Sequence, residues 1–176
     1  MRAFLLLLSL LFLMPQPVVA SDTHGATKEH DHEEQHADED GDHKASAHGV
    51  TALHAWIRAT SGEDALLFVE IENGSDQDIR IVGGETAIAD SVELVGFRMK
   101  DGEAGYAPLQ PVPVKPGKEL MLEPNGLALR LNGLTRSFGK GEEFEIEIEF
   151  DVGHVELHAQ VEPADATRHS HAGHQH

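Results

Sequence analysis

Between Val50 and Val161 apolar and polar residues alternate in short segments cut by Gly, Asn, Asp and Pro, the pattern of strands that bury one face and wet the other. It predicts strands over residues 50–58, 65–73, 79–86, 91–99, 118–122, 127–131, 142–150 and 154–161. In the clearest of these, Phe144, Ile146, Ile148 and Phe150 fall on one face and Glu143, Glu145, Glu147 and Glu149 on the other. Turns are expected at Asn73-Gly74-Ser75-Asp76, Gly83-Gly84, Lys100-Asp101-Gly102, Pro116-Gly117, Pro124-Asn125-Gly126 and Gly139-Lys140-Gly141. Residues 106–116, which include Pro108, Pro111, Pro113 and Pro116, read as an extended loop or a sheet edge, because proline cannot donate to a central ladder. No stretch carries a helical stripe. The expectation is an all-β fold, an antiparallel sandwich of Greek-key type.

Outside that region the pattern vanishes. Residues 1–20 read as a signal peptide, with Arg2 at the positive end, an apolar run from Ala3 to Met14 too short to span a bilayer, and Val18-Val19-Ala20 for cleavage. That predicts export to the periplasm with no membrane insertion after cleavage. Residues 21–49 and 163–176 have almost no apolar side chain larger than alanine, so ordering them would cost entropy without burying surface. They read as a disordered arm and tail around a single domain at 50–162.

Composition narrows the function. With no cysteine there is no disulfide, thiolate metal site or lipid-carrying residue at the cleavage site. A formal charge of -18 argues against nucleic acid and anionic membranes and favours cations. All 13 histidines avoid residues 55–153: His24, His30, His32, His36, His43, His48 and His54 precede that stretch, and His154, His158, His169, His171, His174 and His176 follow it. Imidazole is the commonest protein metal ligand, so each is a candidate for copper or zinc.

On the last predicted strand His154, Glu156 and His158 share a face, where their side chains could converge on one ion or simply face water. His54 joins them only if the first and last strands are neighbours. His32-Glu33-Glu34-Gln35-His36 matches H-E-x-x-H, but no apolar face surrounds it, so it reads as a loose metal ligand set and not a protease. Cleavage after Ser21 instead of Ala20 would leave Asp22-Thr23-His24, whose amine, two amides and imidazole suit square-planar copper(II). Trp56 reads as a packing anchor, and Asn73-Gly74-Ser75 as a hairpin turn before a glycosylation site. Nothing marks an enzyme.

At Ala55-Trp56-Ile57-Arg58-Ala59-Thr60, at Phe68-Val69-Glu70-Ile71-Glu72-Asn73, at Val92-Glu93-Leu94 and from Gly126 to Leu134, the chain resembles the periplasmic copper chaperones of the PCu(A)C family. The likeness runs in order over residues 50–161. It implies a cupredoxin-like β-sandwich and delivery of copper, in that family towards the binuclear copper centre of cytochrome oxidase. The resemblance implies a metal site of two His-x-Met pairs with a further methionine between them, and the pairs here fall on Val95-Gly96-Phe97 and Ala128-Leu129-Arg130. Both pairs are replaced, and after the signal only Met99 and Met121 offer the thioethers that select copper(I). The expectation is therefore a copper(II)-preferring or zinc-binding protein that uses its histidine-rich flanks as chaperone or buffer, with a periplasmic recipient such as an oxidase-assembly protein or transporter. The alternative is a metal-independent adaptor or assembly factor that has lost the copper site.

Overall fold

A computed structural model describes residues 43–170, all within one compact unit. Its strands are β1 (Lys44–Ala47), β2 (Val50–Arg58), β3 (Ala65–Asn73), β4 (Ile79–Glu85), β5 (Ser91–Lys100), β6 (Glu103–Pro108), β7 (Val112–Val114), β8 (Glu119–Leu122), β9 (Leu127–Asn132), β10 (Glu143–Phe150) and β11 (Gly153–Glu162). They follow one another spatially as β6-β5-β9-β8-β3-β2-β11-β10-β4-β7, with β1 against β2. Because β4 also pairs β5, the sheet folds back on itself and its inward faces meet in one core. The all-β sandwich expected from the alternation is present, and its strand bounds agree with the pattern to within a residue or two.

The periodicity is realised as burial. Phe144, Ile146, Ile148 and Phe150 are buried between exposed or half-buried glutamates, and Ile57, Leu67, Ile71, Leu129 and Leu131 meet them from the other strands. Each fully buried aliphatic or aromatic side chain contributes about 1.5–3 kcal/mol. A smaller cluster of Trp56, Phe68, Val95 and Ala128 packs separately, which confirms Trp56 as an anchor.

Several expectations are corrected. Strand β1 lies inside the segment read as a disordered arm: its burial is slight, but a ladder from Lys44↔Leu53 to Ala47↔Val50 satisfies its backbone. The proline-rich stretch is an edge, as one of its two readings had it, since β6 and β7 sit at the two ends of the strand order. Gly83 and Gly84 form no turn; both lie in β4, where a Cβ on Gly84 would stand 2.6 Å from the Glu147 carbonyl oxygen. Only glycine permits that approach. The sandwich is not wholly antiparallel either, for β11 runs parallel to β2 (Gln160↔Trp56, Glu162↔Arg58), two strands that no hairpin joins. Asn73 is buried in the expected turn, its Nδ2 donating to the Gln77 and Val114 carbonyls. No hydrogen is left there for a glycan.

Candidate metal centre

Strands β1 and β2 are joined by His48 and Gly49, both at positive φ (54° and 76°), the backbone of a two-residue hairpin turn. Near the open end of this hairpin His54 N donates to His43 O at 2.8 Å. Between Leu53↔Glu70 and Trp56↔Phe68, β2 carries one residue more than β3, and within that bulge His54 adopts φ 52°. A left-handed conformation disfavours a residue with a Cβ, and bulges re-aim side chains. Here the bulge puts an imidazole beside the end of β1.

The third imidazole comes from the other end of the domain. After β11 the chain turns (Ala166 N to Pro163 O, 2.9 Å) and is fastened to β2, where Arg58 Nε donates to Ala166 O at 2.6 Å. The Glu162 Oε1 then accepts from Ser170 N at 2.8 Å and Ser170 Oγ at 2.7 Å. Between these fastenings His169 is inserted, only 2% exposed. Its ring centroid lies 5.4 Å from that of His43 and 5.6 Å from that of His54. Two imidazoles ligating one ion at about 2 Å have centroids about 4.5 Å apart at the right angle of a square plane and about 5 Å apart at a tetrahedral angle. The rings stand a little wider than that, so a shared cation would draw them closer together.

An outer shell is already in place. His169 Nε2 stands 3.0 Å from Gln160 Oε1 and 3.7 Å from Glu162 Oε1, both acceptors, so Nε2 is a donor, and ligation by this ring would go through Nδ1. The Gln160 amide is oriented by Glu143, whose Oε1 accepts from Gln160 Nε2 at 3.1 Å. The same Nε2 lies 3.3 Å from His43 Nε2, which is thereby the lone-pair nitrogen of that ring.

Beside the imidazoles opens a groove of about 100 Å³ lined by His54, Trp56, Glu70, Met121 and His169 among others. The Glu70 carboxyl titrates above the usual range, first because burial penalises its charge and then because Glu119 and Glu72 repel it. Ionised Glu70 thus costs stability at neutral pH, and the protein regains that stability as pH falls through the raised folded value towards the unfolded one. Glu70→Gln is expected to raise the urea midpoint at pH 7 and to lose that advantage near pH 4. An advantage that persisted near pH 4 would show that charge is not the cause.

The described residues thus join His43, His54 and His169. His24, His30, His32, His36, His171, His174 and His176 lie outside them, as do the H-E-x-x-H stretch and Asp22-Thr23-His24. His48 is a turn residue, its ring close over Gly153. Of the two readings of His154 and His158, the structure favours facing water: the two residues lie on one exposed face, and four residues of strand separate them by about 13 Å. His154 also faces Glu147, with Nε2 to Oε2 at 3.8 Å. β11 does neighbour β2, as the inclusion of His54 required, but the imidazole that His54 meets is His169. The tail up to Ser170, read as disordered, is fastened down because Glu162 and Arg58 supply polar anchors in place of apolar burial. Gln160 and Glu162 were missed, although they continue the parity of His154, Glu156 and His158.

Where the PCu(A)C resemblance places its ligand pairs, no metal donor remains. Val95 faces Ala128 across the ladder and both are fully buried. Phe97 packs edge-on to Tyr106, and Arg130 donates to Tyr106 O at 2.9 Å and pairs with Glu93 at 3.3 Å. Those positions do not fit copper.

Comparison with known proteins gives a consistent picture. The family model described as "Putative lipoprotein LpqE-like" matches residues 50–170. Among curated proteins none matches. Among solved structures, the copper-bound PCuAC domain from PmoF2 is similar at 22% identity and TM-score 0.57, covering 69% of this chain and 98% of that one. The apo PCuAC domain from PmoF1 gives 21% identity and TM-score 0.59, covering 69% and 99%. Apo-DR1885 from Deinococcus radiodurans gives 25% identity and TM-score 0.52, covering 89% and 99%.

Proposed function

This chain belongs to the LpqE-like family, of PCu(A)C type, and from that premise we propose that it is an exported copper-binding protein of chaperone or buffer type that holds copper(II) at His43, His54 and His169. The observation that carries the reading is the gathering of three imidazoles from β1, the β2 bulge and the segment after β11, with ring spacings of 5.4 and 5.6 Å. Support for copper as the cargo comes from the family and from the copper-bound state in which the PmoF2 domain was solved. An all-imidazole set favours copper(II) over copper(I), which prefers thioether sulfur, and ranks copper(II) above zinc. Export rests on the signal-like residues 1–20, and a periplasmic recipient is the natural consumer of the ion. An adaptor without metal remains the second reading, favoured by the apolar filling around Val95 and Ala128.

Paramagnetic broadening separates the two. When substoichiometric copper(II) is added to the uniformly labelled full chain, the resonances of His43, His54, Gln160 and His169 are expected to broaden among the first. Broadening confined to residues before His43 and after Ser170 would overturn the site, and none at all would favour the adaptor.

A further inference from the structure

Among the described residues the buried polar side chains are those of Asn73, Glu162 and His169, and two of the three meet at the imidazole centre. Burying a carboxylate is costly, yet Glu162, the last residue of β11, is only 5% exposed. Its Oε1 faces the donor nitrogen of His169 at 3.7 Å while accepting from Ser170 N and Ser170 Oγ. Resting on the reading that His43, His54 and His169 hold copper(II), we propose that Glu162 is a specificity-determining residue of this centre, whose negative charge makes it prefer copper(II) to copper(I).

Three neutral imidazoles bring no charge to the ion they hold. Glu162 supplies one from behind a ring that bonds the metal on Nδ1 and turns Nε2 towards the carboxylate. An ion so bound stands about 7–8 Å from Oε1, counting about 2 Å of bond, about 2 Å across the ring and the 3.7 Å gap. The attraction is twice as large for a dication as for a monocation. With an effective dielectric constant of about 20, the difference at that distance favours copper(II) by at least about 10-fold. Both His169 and Glu162 are buried, so salt screens the interaction little. The two affinities also fix the reduction potential of the bound ion, about 59 mV for each 10-fold change in their ratio.

The tightest site of the full-length protein is measured for copper(II) against a chromophoric chelator and for copper(I) against bicinchoninate under argon. Glu162→Gln, which keeps the size and an acceptor oxygen, is expected to weaken copper(II) by at least about 10-fold and copper(I) by less than about 2-fold, raising the reduction potential of the bound ion by at least about 59 mV. A carboxylate with a merely structural role would weaken both ions alike. Glu162→Asp keeps the charge, so its preference for copper(II) should stay within about 2-fold of the wild type even where both affinities fall. Glu156→Gln, the same change at an exposed position of β11, should alter neither ion. Equal weakening of both ions in Glu162→Gln, no change in either, a preference lost in Glu162→Asp, or an equal shift in Glu156→Gln would overturn the charge role with the centre intact. Copper(II) affinity undiminished in His43→Ala/His54→Ala/His169→Ala would instead overturn the centre, and the role of Glu162 with it.

Discussion

Changing His169 to alanine in the full-length protein is expected to weaken its tightest copper(II) site by at least about 100-fold, measured by competition with a chromophoric chelator. Loss of an outer-shell partner alone costs about 10–100-fold in metal affinity, and this change removes a ligand together with its contact to Gln160. His169 is also the most enclosed of the imidazoles, so no water can take its place without opening the segment that runs from Arg58's bond at Ala166 to Glu162's at Ser170. His154→Ala serves as the control, because that ring is exposed and faces Glu147. Its effect should stay under about 2-fold, in keeping with an exposed side chain. If the two variants weakened binding equally, the centre would have been assigned to the wrong histidines.

Phe68→Ala is expected to lower stability by about 3–5 kcal/mol, read from urea unfolding. The ring is 1% exposed and belongs to a cluster whose other buried members are only Trp56, Val95 and Ala128. So few neighbours cannot collapse into the space that remains. Phe68 packs 4.7 Å from Trp56 between centroids and lies under the Arg58 guanidinium at 5.7 Å. Arg58 in turn holds Ala166, so the variant should also loosen copper(II) below its unfolding range. Val82→Ala, at a side chain 45% exposed, should change stability by no more than about 0.5 kcal/mol. A similar loss at both positions would contradict the packing described for Phe68.

The strands were legible because burial writes itself into the sequence with period two: Phe144 through Phe150 could be assigned to faces with no structure at hand. Less of the candidate centre was legible. Each of its imidazoles belonged to the histidines singled out, but nothing in the local sequence tells that His54 sits in a bulge, because the bulge is a mismatch between β2 and β3 and neither strand encodes it alone. Hydrophobicity likewise missed β1, which a backbone ladder holds, and the segment up to Ser170, where Arg58 donates to Ala166 and Glu162 accepts from Ser170. For His154 and His158 a shared strand face left two readings open, and the strand rise between them favours the one in which both simply face water.

An ion gripped by both His43 and His169 would bridge positions 169 − 43 = 126 residues apart in the sequence. In the denatured ensemble, a lasting cross-link over so long a loop is worth on the order of 4–5 kcal/mol. Copper is a reversible clasp, so that gain exists only to the extent that the ion is present and bound. Donation of the cargo would therefore withdraw that gain and leave both ends to their own hydrogen bonds, and by thermodynamic reciprocity any recipient that pried those ends apart would draw the metal out.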